Sequence, residues 1–283
     1  HNMFLDAVIL ILQEILEAAL VISVLLVLTH LFQTIWGRDF SRRKSWFFYA
    51  LILGIFGAWL YAYFIPEISD WFDYVGQEVM NSSIHLVSLL FLIVLACVAP
   101  SRYFAGKQRN RSKLAVCCMA IIVLLALVRE GSEIILYLEG VTSQSENVSP
   151  VLLGAIVGAG IGVSSGIFLF YTLVSLNSPW PLRLCLLLLA LISGSMASQT
   201  VMLLTQADWL PYTSIAWDSS GVLSESSVVG RVFYALIGYE ATPSILQVVC
   251  YFLSMLIIVS GPLFRLAWPR KKSLEKSVSA NNA

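Results

Sequence analysis

Two stretches decide how this sequence is read: Leu12-Gln13-Glu14-Ile15-Leu16-Glu17-Ala18-Ala19-Leu20 and Val128-Arg129-Glu130-Gly131-Ser132-Glu133-Ile134-Ile135-Leu136. Each sets Glu-x-x-Glu inside an apolar run. Residues 3–33 hold no Lys or Arg, and residues 114–138 hold no Lys, Arg, Asp or Glu beyond Arg129, Glu130 and Glu133. Helical residues at i and i+3 share a face, so each stretch presents two carboxylates side by side. The fold then depends on whether the surrounding runs are soluble core or membrane spans.

Composition answers for the membrane. Of 283 residues, 58% are hydrophobic and 12% charged, with 17 basic and 17 acidic side chains. A soluble domain carries about a quarter charged residues, so a water-facing surface cannot be assembled from this set. Mean hydropathy is +0.83, and the apolar runs approach the roughly 20 residues that cross about 30 Å of hydrocarbon. The sequence therefore predicts an all-α polytopic membrane protein in the lipid bilayer. Nucleic acid is excluded as a partner, because there is neither excess positive charge nor a basic domain. Cys97, Cys117, Cys118, Cys185 and Cys250 are odd in number, without a CxxC, and read as core thiols rather than a disulfide framework or zinc site.

Seven spans are expected, at about 4–33, 46–65, 82–100, 114–138, 151–176, 183–205 and 244–267, with Pro66, Pro100, Pro150, Pro179 and Pro181 at the breaks. All of 1–283 reads as one transmembrane domain. Its first half spans 3–100 and its second 114–205; an external or re-entrant segment follows at 206–243, then helix 7 at 244–267 and a cytoplasmic tail at 268–283. Because three helices separate the two Glu-x-x-Glu stretches, they enter the membrane from opposite sides, as in an inverted 3+3 repeat with a site at the repeat interface. Gly154, Gly158, Gly162 and Gly166 recur at every fourth position in span 5 and predict close approach of a neighbouring helix; Gly54, Gly57 and Ala58 in span 2 are a weaker version.

Loop charge sets the orientation. Arg38, Arg42, Arg43 and Lys44, then Arg102, Lys107, Arg109, Arg111 and Lys113, then Arg183, and finally Arg265, Arg270, Lys271, Lys272 and Lys276 mark one side as cytoplasmic. The other side carries Glu67, Asp70, Asp73, Glu78, Glu139, Glu146, Asp208, Asp218 and Glu225. The N-terminus is expected outside and the C-terminus inside. Trp36, Trp46, Trp180 and Trp268 are expected as anchors at the inner boundary, and Trp71, Trp209 and Trp217 at the outer.

Glu14, Glu17, Glu130 and Glu133 each cost a few kcal/mol at the bilayer centre, and together they call for a compensating cation. Arg129 lies at i−4 to Glu133 and is in reach of it, or of Glu14 across the interface. Carboxylate oxygens select hard cations, whereas soft metals prefer thiolate and imidazole. His30 and His85 read as local hydrogen-bonding residues rather than ligands. An ion-paired network that only locks two helices together is the structural alternative.

Arg129-Glu130-Gly131-Ser132-Glu133 resembles the Arg-Glu-x-x-Glu motif of the oxidase-dependent high-affinity iron permeases, the yeast-type ferric permeases and their bacterial counterparts. That family carries the motif in the first and fourth of seven helices. The stretch Trp217-Asp218-Ser219-Ser220, Leu223-Ser224, Gly230, Gly238-Tyr239, Pro243-Ser244, Gln247 and Tyr251 is similar to the family's approach to its last helix. The resemblance implies uptake of iron as the transported substrate, with no permanently bound cofactor and no enzyme activity. It implies ferric ion, supplied by an extracytoplasmic oxidase or peroxidase and an iron-delivery protein. The implied ligands are Glu14, Glu17, Glu130 and Glu133, with Arg129 as charge partner or gate. The first motif departs from the pattern, with Gln13 for the arginine and Ile15 for the glycine, which leaves the site more negative and leaves room for ferrous or another hard divalent ion.

In this reading Glu67, Asp70, Asp73, Glu78, Asp218, Glu225 and Glu240 are entrance acids that raise local cation concentration. A helix around Val228 to Glu240, bounded by Gly230 and Gly238, covers the entrance. A membrane di-iron carboxylate oxidoreductase is the rival from another class; its Glu-x-x-His pairs do not occur in the sequence. A purely structural membrane subunit is the third reading. No GxxxxGK[ST] loop is present to support ATP hydrolysis. The expected location is a bacterial cytoplasmic membrane.

Overall fold

A computed structural model describes residues 2–37, 45–98, 108–144 and 146–268. Six of its helices are long and apolar enough to cross a membrane: α1 (Met3–Trp36), α2 (Ser45–Ser69), α3 (Gly76–Val98), α4 (Gln108–Gln144), α5 (Ser149–Ser175) and α6 (Trp180–Gln206). Three shorter helices follow, α7 (Val228–Ile237), α8 (Ile245–Val259) and α9 (Pro262–Ala267), and a single turn at Trp71–Tyr74 joins α2 to α3. Among the described residues there is no strand, only an isolated bridge between Ile215 and Ser244. The chain is an all-α polytopic membrane protein. The Arg and Lys of the loops at 38–44 and 102–107, and of the tail from Arg270, lie outside the described residues.

The helices run past the apolar runs that announce them. Polar ends continue the hydrogen-bond ladder, so α4 begins before Leu114 and ends after Leu138, and α2 continues through Pro66 to Ser69. The seventh run is not one helix. It breaks at Ser260-Gly261, after which Pro262 starts α9, because proline lacks the N–H that the helix needs. With 15 residues, α8 alone reaches about 22 Å, short of the hydrocarbon thickness.

α2 and α5 flank the bundle and are apolar on the outside. Phe48, Tyr49, Ile52, Phe56, Trp59 and Tyr63 on α2, and Leu153, Ile156, Ile167, Phe168 and Tyr171 on α5, are all more than half exposed. Continuous apolar surface of this extent belongs against lipid. Trp180, Trp71, Trp209, Trp217 and Trp268 are exposed as anchors should be, but Trp46 is not: it is buried in the core at the start of α2.

The most extensive packing is α1 on α5 and α2 on α4; each motif helix lies against the second helix of the other half. α3 packs on both α4 and α6, and α1 on α4. The glycines of α5 make the first contact possible. A Cβ on Gly158 would stand 2.6 Å from the Val8 carbonyl oxygen, and one on Gly154 2.5 Å from that of Phe4. At Gly162 it would collide with the Ile15 side chain. Ser23 Oγ donates to the Gly166 carbonyl at 2.8 Å, a bond open only where no side chain intervenes. Toward the C-terminal end of α1 the bundle is filled by Val24, Leu25, Leu28, Phe32, Leu92, Leu95, Met119, Ile122 and Leu189, all essentially inaccessible.

The segment after α6 is tightly knit. α7 is capped by Ser227, whose side chain accepts from Gly230 N, and closed by Gly238 at φ 71°, the left-handed conformation glycine permits. Gly238 also seats against Ser195 of α6, where a Cβ would come 2.5 Å from Oγ. Tyr239 bonds Ser219 and the Leu223 carbonyl, and Ser244 and Gln247 form a capping box at α8.

Candidate metal centre

One carboxylate oxygen from each of Glu14, Glu130 and Glu133 lies within 4.8 Å of the others. α1 contributes Glu14 and α4 the other two; both helices bring these positions inward because the remainder of their contact face is apolar. Glu14 is 8% and Glu130 5% exposed. Glu14 Oε2 and Glu130 Oε2 have no hydrogen-bond partner. A buried anionic oxygen without a donor is among the costliest groups a fold can contain.

Glu17 lies nearby but is engaged differently. Arg129 Nη2 donates to Glu17 Oε2 at 2.5 Å and pairs with Glu130 Oε1 at 2.6 Å. Arg129 Nη1 lies 2.6 Å from His85 Nε2 and 3.2 Å from Gln199 Oε1. A guanidinium has only donors, so His85 accepts through Nε2, is neutral and carries its proton on Nδ1. Gln199 Nε2 donates onward to Ser195 Oγ at 3.2 Å. One side chain thus ties α1, α3, α4 and α6 together.

These contacts revise the sequence expectation for Arg129. Neither Glu133 nor Glu14 is its partner: it spans to Glu17 and turns back on its own neighbour Glu130. The i−4 spacing to Glu133 sets proximity on the helix, but the facing helices decide where the guanidinium goes. His85 is a hydrogen-bonding residue, as expected, though it sits well inside α3 and is buried. His30 is exposed. Sequence reasoning missed Gln199 and Ser195, whose signal was available: polar residues one turn apart in the apolar run of α6. It also missed Tyr61 of α2, whose OH donates to Asn81 Oδ1 of α3 at 2.7 Å.

The entrance acids divide. Glu67, Asp70 and Asp73 are exposed around the turn between α2 and α3, and Glu78 is half-buried in the first turn of α3. Asp218 is exposed and accepts from the Ser220 hydroxyl and N–H, which hold its carboxyl below the usual range. Glu225 is exposed, yet accepts from Ala241 N at 2.5 Å and so fastens its own loop. Glu240 accepts from Gln247 Nε2 at 2.9 Å and lines a cavity of about 150 Å³ with Trp217, Tyr239 and Tyr251. Burial pushes its carboxyl above the usual range, against the pull of the Gln247 bond.

In a helical membrane protein, ionisable side chains this deep between the spans mark the class of channels, pumps and transporters, in which they line ion, proton or substrate paths. The chain belongs to the Iron permease FTR1 family, whose model matches residues 4–267. Among named relatives, the ferrous iron permease EfeU of Escherichia coli O6:H1 (strain CFT073) is 26% identical over 261 residues, covering 87% of this chain and 91% of that protein. The ferrous iron permease EfeU of Shigella sonnei (strain Ss046) is 26% identical over 259 residues, covering 87% and 90%. No solved structure matches the chain.

Proposed function

We propose that this protein carries iron across a bacterial cytoplasmic membrane, taking the ion at Glu14, Glu130 and Glu133 with Glu17 as the fourth carboxylate. The observation that carries this reading is the pair of buried, unpartnered oxygens Glu14 Oε2 and Glu130 Oε2, on carboxylates that cluster with Glu133 between α1 and α4. A hard cation satisfies them and takes the place of the proton that a buried carboxyl otherwise holds. With the N-terminus outside, the exposed acids of the α2–α3 turn and of the segment after α6 lie on the side from which the ion arrives. Arg129 neutralises Glu17 and Glu130 until the ion does so.

The ferrous ion is the substrate best supported, because both named relatives are ferrous iron permeases. Ferric ion, delivered by an extracytoplasmic oxidase or peroxidase, is the second reading and rests on the family motif. Radioactive iron uptake into proteoliposomes, run once with reductant and once with ferric citrate, separates the two. Glu133→Gln and Glu14→Gln are expected to abolish uptake at normal protein levels. Uptake at the wild-type rate by both variants would sink the carboxylate site and leave the structural-subunit reading.

A further inference from the structure

Beyond the carboxylates, toward the C-terminal end of α1, lies a second space of about 50 Å³. Arg129, Glu17 and Glu130 line it, and His85, Ser88, Ser195 and Gln199 contribute the other polar walls. The rest of the lining is apolar, including Leu20, Val21 and Leu125. Ser88 is 4% exposed, a buried hydroxyl on the wall of this space. The volume holds about three waters or one planar guanidinium head.

Resting on the proposed iron site, a cation that binds to Glu130 and Glu17 must take carboxylates that Arg129 now holds. A guanidinium stripped of both would be an unpaired charge inside the bilayer, a penalty that would be subtracted directly from the ion's affinity. Nη1 already has its acceptors, His85 and Gln199, on the cavity side. Only Nη2 needs new ones, and Ser88 and Ser195 line the same space as Arg129.

We propose that this cavity is the seat to which the Arg129 guanidinium withdraws when a cation takes its place at Glu17 and Glu130. Ser88 and Ser195 are positioning residues that receive Nη2, while His85 and Gln199 act as the pivot. Arg129 is then a tethered competitor of the ion, and the cavity sets how cheaply that competitor is displaced.

Anaerobic calorimetry of ferrous ion binding to the detergent-purified full chain tests this through a cycle. Ser88→Ala with Ser195→Ala is expected to weaken binding about tenfold, the scale of hydrogen bonds to a charged group. In an Arg129→Gln background, which itself binds more tightly, the same pair of substitutions is expected to change nothing. Ser88→Thr and Ser88→Val have the same shape, so folding is held constant; Thr is expected to keep wild-type affinity and Val to lose it. Equal weakening in both backgrounds would make the serines ligands of the ion or plain structural groups, and no weakening in either would make the cavity idle; both overturn the seat. Glu133→Gln, read in the same assay, separates the two levels. Undiminished binding there removes the iron site itself, whereas lost binding with a flat cycle removes the seat alone.

Discussion

The two motif helices meet their partners through the same contact built in opposite senses. On α1 the residue after the first motif glutamate is Ile15, whose side chain enters the hollow left by Gly162 of α5. On α4 the corresponding residue is Gly131, and the partner helix supplies the bulk: a Cβ on Gly131 would stand 2.8 Å from Ala58 Cβ of α2. Around them, Gly154, Gly158, Gly162 and Gly166 of α5 match the buried Ala50, Gly54, Ala58 and Ala62 of α2 in spacing. The departure of Ile15 from the family's glycine is thereby explained, since α5 has given up the volume that Ile15 takes. A knob and its hole have traded helices, and the approach of the two backbones is kept in both halves.

The trade can be broken at its least yielding point. Gly158 faces backbone, the Val8 oxygen and Leu12 nitrogen, which have no rotamer to change. Gly158→Val is expected to unseat α1 from α5 and remove most folded, monodisperse protein, read by size exclusion in detergent. At the other interface Gly131→Ile meets a side chain, so overpacking of about 1–3 kcal/mol is expected. Pairing it with Ala58→Gly reproduces the arrangement of the first half and is expected to recover most of the loss in a thermal melt. Failure of that rescue would mean that the two interfaces are not interchangeable.

The motifs differ in charge as well, with Gln13 where the second carries Arg129. A single guanidinium serves Glu17 and Glu130 across the repeat interface, and Glu14 and Glu133 are left without one. Gln13→Arg adds a second competing cation and is expected to lower ferrous affinity about tenfold while Glu133→Gln abolishes it; tighter binding would contradict the electrostatic account. The smallest effect belongs to Ser23→Ala, which removes one hydrogen bond to Gly166 from the first interface and is expected to cost about 1 kcal/mol.

Much of this was legible in the sequence, for reasons that individual residues show. The i, i+3 spacing of Glu14 with Glu17 and of Glu130 with Glu133 is a property of one helix, and so is the four-residue period of the α5 glycines. The helix at Val228–Ile237 announced itself through Gly230 and Gly238, whereas the break at Ser260-Gly261 was passed over and 244–267 was read as one helix, although Pro262 carried the signal. What was not legible was the choice among partners. The sequence left Arg129 a choice between Glu133 on its own helix and Glu14 across the interface, and only the placement of α3 and α6 turns Nη1 to His85 and Gln199 and leaves Nη2 for Glu17 and Glu130. Trp46 fails as an anchor for the same reason: its place at a span end is local, whereas its burial depends on helices far away in the chain.

The apolar filling from Val24 to Leu189 has an electrical consequence. On the transport reading proposed above, with the carboxylates open to the outer solution, most of the membrane voltage would fall across this dry layer, which resists polarisation far more than water does. The charge of a ferrous ion crossing about 100 mV is worth about 4–5 kcal/mol, and nearly all of it is gained below the carboxylates. On that reading loading of the ion would be almost blind to voltage, and release is where the membrane potential would pull.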